Sequence, residues 1–224
     1  MAEDHKSKES GRSIEAEIMG NETSLSSSFL GKSSELTGHI FMGMISILGM
    51  TILGWWIEVV DRFIDLSKLG IHPRELRGLF GIFLSPWLHG SWGHLIGNTF
   101  AFWGLGFFMV FAEKDRFLRT TLWLAILSGL GTWLIAKGGS VHIGASGVIY
   151  GYIGYLLARS LTERRVIWVI TGVVIFLAYG SYLWGVLPRE EGVSWEAHAC
   201  GCLAGIFLGR RHGKRNREER AQFL

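Results

Sequence analysis

The sequence predicts an all-α membrane protein, a bundle of six transmembrane helices, and three observations lead there. Of the 224 residues 49% are hydrophobic and 18% charged, with ten Trp and fourteen Phe, and the mean hydropathy is +0.30. That is too apolar for a water-soluble domain of this length. Apolar stretches close to the roughly 20 residues that cross about 30 Å of hydrocarbon recur along the chain. Thirty-one glycines against three prolines suit long helices that pack through small residues, because lipid supplies no hydrophobic drive between helices.

Taken in order, residues 1–36 are polar, with mixed charges and the serine-rich run Ser24 to Ser28, and carry no sustained periodicity. They are expected to form a disordered cytoplasmic tail, with no apolar core long enough for a cleavable signal. The membrane domain covers 37–210, with spans expected near 38–60, 92–111, 117–136, 144–161, 166–183 and 194–209. The fourth and sixth are short and rich in glycine. Between the first two, Leu79, Phe80, Ile82, Phe83, Leu84, Trp87 and Leu88 give the connecting loop an apolar side suited to the outer interface. Residues 211–224 form a basic tail.

Orientation follows from Lys and Arg in the connecting segments. With the N-terminus in the cytoplasm, sixteen of these residues fall inside and six outside, four of the six in the loop 61–85. Both termini are therefore expected in the cytoplasm, as in a multi-pass protein of a bacterial plasma membrane. The run Arg210, Arg211, Lys214, Arg215, Arg217 and Arg220, directly after an apolar helix, reads as a cytoplasmic anchor rather than a nucleic-acid site. This topology puts the N-terminal ends of the second, fourth and sixth helices in one outer layer.

A polar group inside a spanning helix is costly and is a functional candidate by default. The second helix opens with His89-Gly-Ser-Trp-Gly-His94-Leu-Ile-Gly-Asn98, which puts His94 and Asn98 on one face at i and i+4. The fourth opens with Gly144-Ala-Ser146-Gly147-Val-Ile-Tyr150-Gly151, and the sixth with Ala197-His198-Ala-Cys-Gly201-Cys-Leu-Ala-Gly205. Together they supply a hydroxyl, Ser146; an imidazole base, His198; and two donors for an oxyanion, His94 and Asn98. No Asp or Glu is expected near these positions in the membrane, so the set predicts a Ser–His dyad. Gly144, Gly147, Gly151 and Gly154 on one helix and Gly201, Gly205 and Gly209 on the other predict close backbone packing. Tyr150, one turn after Ser146, is placed to stack on His198.

These residues resemble the rhomboid family of intramembrane serine proteases. The matching patterns are His-x4-His-x3-Asn at His89, His94 and Asn98, Gly-x-Ser-Gly-x3-Gly at Gly144 to Gly151, and Ala-His-x2-Gly-x3-Gly at Ala197 to Gly205. Each is weak alone; in this order on three helices they are specific. The resemblance covers about 38–210 and implies a six-helix bundle with Ser146 as nucleophile and His198 as base. It also implies an oxyanion region of His94, Asn98 and the Ser146 N–H, a Tyr150–His198 stack and a structural Glu113. The implied substrates are single-span membrane proteins cut in or near their transmembrane segment. The Trp-Arg pair common in the family's first loop does not occur here, which leaves that loop's support and its role in admitting substrate open.

The expected partners are thus the lipid bilayer and transmembrane protein substrates, without nucleic acid, cofactor or metal. Cys200 and Cys202 point away from each other on a helix and read as packing residues, and no His-Glu-x-x-His run suggests a metalloprotease. His72, His142 and His212 are assigned to loops and tail without chemistry. The alternatives are a non-catalytic member of the same fold that binds membrane clients and, less well supported by the apolar inner helix halves, a transporter.

Overall fold

The computed structural model describes residues 2–188 and 192–222, with side chains described from Gly31 on except Lys32. Arg189, counted above on the outer side, and the last two residues of the basic tail lie outside that set. The described chain is built of seven α-helices joined by short 3₁₀ turns: α1 (Ala2–Ile64), α2 (Gly78–Leu84), α3 (Trp92–Glu113), α4 (Phe117–Ile135), α5 (Ser146–Glu163), α6 (Val166–Tyr179) and α7 (Trp195–Ala221). The chain divides into two compact units, residues 1–42 and 43–224. Residues 2–36, where the sequence shows no periodicity, are helical within α1. They contain no Pro, and Ala, Leu, Glu and Lys among them are intrinsic helix formers.

Three stretches are long and apolar enough to cross a membrane: Ser33–Ile64, Trp92–Ile135 and Val166–Val186. The second contains both α3 and α4, which are separated where Lys114 takes a positive φ of 49°. The apolar helices make this an integral membrane protein. The expected fourth and sixth spans, α5 and the first half of α7, do not stand out in the same way, for a packing reason. Fifteen of the 18 residues of α5 are buried, so it is shielded by protein and carries glycine, tyrosine and charge in place of a lipid-facing apolar surface.

The glycine stripes form the α5–α7 seam as the spacing predicts. A Cβ on Gly205 would lie 2.7 Å from the Tyr155 nitrogen, and one on Gly154 would lie 3.2 Å from the Cys202 Cα. Only glycine lets the two backbones come this close. Cys200 packs on Gly131 of α4, in keeping with a packing role.

The end of the bundle where α3 and α5 finish is held by a buried polar cluster. Glu113 at the end of α3 accepts hydrogen bonds from Thr120 (2.9 Å), Arg159 (2.6 Å) and Tyr155, and His212 of α7 lies 3.2 Å from it. Arg159 also donates to Glu163 at 2.8 Å, and Asn216 and Arg220 of α7 reach Glu163 at 3.0 Å each. His212 is therefore a structural link between helices rather than an uninvolved tail residue.

The loop between α1 and α3 is pinned from several sides. Ile71 and His142 exchange backbone hydrogen bonds of 2.9 and 3.0 Å, and the Gly144 N–H donates to Ser85 O at 2.8 Å. The Arg74 guanidinium donates to Leu134 O and the Trp133 indole to Glu75 O, both at 2.9 Å. These contacts tie the loop to α4 and to the start of α5. His72 and His142 are buried. The His72 Nε2–H donates to Lys68 O at 2.8 Å, while the His142 ring bridges the hydroxyls of Ser140 (2.8 Å) and Ser194 (2.6 Å). His142 thus joins the loop before α5 to the N-cap of α7.

Candidate active site

Ser146 is the first residue of α5 and His198 lies in the first turn of α7. The seam brings them together: the Ser146 hydroxyl donates to His198 Nε2 at 2.9 Å. The direction of that bond is fixed from the other side of the ring. His198 Nδ1 lies 3.0 Å from Gly185 O, and since a carbonyl can only accept, Nδ1 carries the proton and Nε2 offers its lone pair. The Tyr150 ring stacks on His198 with centroids 4.0 Å apart and planes within 8°. The hydroxyl of Ser128 on α4 donates to Ala197 O at 3.0 Å, steadying the turn that presents the imidazole. Ser146 and His198 are both buried.

His94 and Asn98 reach the same place through Gly144. That glycine has φ +113°, and a Cβ on it would lie 2.7 Å from His94 Cε1, 2.8 Å from His94 Nε2 and 3.5 Å from Asn98 Nδ2. The Nε2 edge of His94 and the Asn98 amide thus face the backbone two residues before Ser146. The His94 N–H is capped by the Ser91 hydroxyl at 3.2 Å, which starts α3 where both side chains point inward. Asn98 Nδ2 is buried and has no hydrogen-bond partner. A buried donor left without a partner is costly unless it serves a ligand.

His89 sits edge-on to His94 with ring centroids 5.0 Å apart. It is 3% exposed. Burial pushes its imidazole down to about 4, with His94 adding to the effect, so the ring is neutral at physiological pH. His89 and Asn98 also line a mainly apolar cavity of about 460 Å³ between α1, α3, α4 and the loop, bounded next to Ser146 by Ala145 and Val148.

Sequence reasoning missed two carboxylates of the neighbourhood: Glu196, two residues before His198, is buried and interacts electrostatically with it, and the second lies on α1. Glu58 of α1 is fully buried, and it interacts electrostatically with His94. The expectation that no carboxylate lies near the site fails here. The signal was weak: Glu58 sits near the end of the first span, and only packing of α1 on α3 turns it inward. It does not complete a triad, since His198 Nδ1 is committed to Gly185 O.

An integral membrane protein with a serine hydroxyl bonded to an oriented imidazole, beside unpaired donors at converging helix starts, is a membrane-embedded hydroxyl–imidazole site. Comparison with known proteins gives its family: a profile of the Rhomboid domain matches residues 76–215, and the chain belongs to the rhomboid family. An uncharacterised protein of Mycobacterium tuberculosis is 38% identical over 175 residues, 74% of this chain and 73% of that one. RHOMBOID-like protein 5 of Arabidopsis thaliana is 33% identical over 157 residues, 64% of this chain and 48% of that one. Rhomboid-like protease 5 of Toxoplasma gondii is 27% identical over 156 residues, 65% of this chain but 17% of that one.

Proposed function

We propose that this chain is an intramembrane serine endopeptidase, cutting single-span membrane proteins in or near their transmembrane segment. The observation that carries the reading is the 2.9 Å bond from Ser146 to a His198 ring whose other nitrogen is held by Gly185 O. In that arrangement the hydroxyl attacks a peptide carbonyl while His198 Nε2 takes its proton, then gives it to the leaving amine; water repeats the sequence on the acyl-enzyme. The His94 edge and the orphaned Asn98 amide are the donors for the oxyanion, and the N-terminus of α5 adds its dipole. Membership of a family that includes a protein named as a protease supports the reading.

With this function go six membrane crossings, with α5 and the first half of α7 as protein-shielded spans, both termini in the cytoplasm and the site in the outer leaflet of a bacterial plasma membrane. The cavity beside Asn98 and Ala145 gives room for an apolar substrate side chain next to the reacting carbonyl.

Ser146→Ala and His198→Ala each abolish cleavage of a reporter transmembrane substrate in liposomes while leaving thermal unfolding near wild type. A folded alanine variant that still cleaves overturns the reading. The client-binding alternative gains if a fluorophosphonate probe fails to label Ser146 in folded protein.

A further inference from the structure

The side chain of His142 joins the two segments that carry the site. His142 lies four residues before Ser146, in the loop that leads into α5, and its ring reaches Ser194, four residues before His198, at 2.6 Å. Both ends of this link are anchored close to the reacting groups. On the α7 side, Ser194 O accepts the His198 N–H at 3.2 Å, so Ser194 sits one helical turn before the imidazole. On the α5 side, His142 is paired with Ile71 through both of its backbone groups, and the Gly144 N–H is held by Ser85 O. Only Ile143, Gly144 and Ala145 separate His142 from Ser146, so a shift at one is carried to the other.

The protons of the link are fixed from its far side. The Ser140 hydroxyl donates its single proton to Lys137 O at 2.5 Å, so toward His142 Nε2, 2.8 Å away, it can only accept. Nε2 therefore carries a proton. Burial keeps the His142 ring neutral at physiological pH, which leaves the Nδ1 lone pair to accept the Ser194 hydroxyl.

This bond does what the glycine seam cannot. The approach of Gly201 to Gly147, where an added Cβ would lie 2.9 Å from the carbonyl carbon, sets how near α5 and α7 can come. Such a contact resists compression strongly and parting only weakly. A hydrogen bond between the two segments resists parting. Ser146 and His198 are thus bracketed, with the Gly147–Gly201 contact on one side of them along the chain and the His142–Ser194 bond on the other. Resting on the protease reading, we infer that His142 is a positioning residue: through Nδ1 and the Ser194 hydroxyl it holds the start of α7 to the loop before α5, and so keeps the His198 imidazole within reach of Ser146.

The test separates the two nitrogens of the ring in the full-length chain in detergent micelles. His142→Asn puts an amide oxygen where Nδ1 lies and keeps an acceptor for Ser194, whereas His142→Gln reaches toward Ser140 and gives that acceptor up. In the first arm, ¹⁵N-histidine NMR follows the His198 ring, assigned by its loss in His198→Ala. His142→Gln and Ser194→Ala move its two nitrogen signals toward each other, as a loosened ring samples the second tautomer, and His142→Asn leaves them in place. In the second arm, His142→Gln lowers kcat for a reporter substrate about tenfold with KM within about twofold, while His142→Asn stays within about threefold of wild type. Ser194→Ala loses as much as His142→Gln, and the double variant loses no more than either. Ser194→Ala deletes a single oxygen and keeps the test intact should a ring variant misfold. Unchanged His198 signals in His142→Gln and Ser194→Ala overturn the inference whatever the activity, as do equal kcat losses in His142→Asn and His142→Gln. Shifted signals in a chain whose wild type cleaves nothing support the His142–Ser194 link and sink the protease reading instead.

Discussion

Replacing Gly201 by Ala adds one methyl group to the α5–α7 seam and tests whether that seam sets the distance from Ser146 to His198. The added Cβ would lie 2.9 Å from the Gly147 carbonyl carbon and 3.3 Å from its Cα, and closer still to the carbonyl oxygen. Ordinary contact with the carbon alone requires the backbones to part by about 0.5 Å, and relief of the oxygen by about 1 Å. Gly147 follows Ser146 directly, and Gly201 is one turn after His198, so the separation is passed almost undiluted to the 2.9 Å hydroxyl–imidazole bond. A further 1 Å carries that bond beyond hydrogen-bonding range. Misplacement of this size costs about a hundredfold in rate, and overpacking costs about 1–3 kcal/mol in stability. Initial rates on a fluorescent transmembrane reporter, read beside thermal unfolding, separate the two. Gly49→Ala is the control: a Cβ there meets nothing within 4 Å, so it keeps full activity and gains a few tenths to about 1 kcal/mol of helix stability. A Gly201→Ala protein that cleaves within threefold of wild type refutes the reasoning.

Two more outcomes follow from the polar clusters. Glu113→Gln leaves the buried Arg159 with one carboxylate fewer and lowers stability by about 3 kcal/mol, measured as a shift in the denaturant midpoint. In the loop before α5, burial holds the His142 imidazole below histidine's usual range, against the raising influence of Glu196. A group whose folded value is depressed contributes stability that is complete above its unfolded value of 6.5 and is lost as pH falls through the folded one. The unfolding temperature therefore drops as pH is lowered below about 6.5, and His142→Gln flattens that part of the profile; an unchanged slope in the variant refutes the assignment.

The residues that the structure gathers at the candidate site were legible because each sits in a local pattern: Ser146 among spaced glycines, His198 before Gly201, and His94 four residues before Asn98. The Tyr150 stack was legible for the same reason, being one helical turn from Ser146. What escaped depends on contacts between distant segments. Glu58 gains its place only through the packing of α1 on α3. His142 and His212 looked like loop and tail residues because their partners, Ser194 and Glu113, are 52 and 99 positions away. The span expected over 144–161 is not marked out by hydropathy in the structure, since hydropathy registers exposure to lipid and α5 is surrounded by protein.

The acceptor that orients the His198 imidazole is a main-chain carbonyl, and it belongs to the short 3₁₀ segment Gly180–Val186 rather than to a side chain. No single side-chain substitution deletes such a group. Its position still depends on the side chains around it: a Cβ on Gly185 would lie 3.0 Å from the Tyr150 ring and 3.3 Å from His198 Nδ1, so the absence of a side chain at Gly185 is what lets this segment sit against the imidazole and hold its orientation.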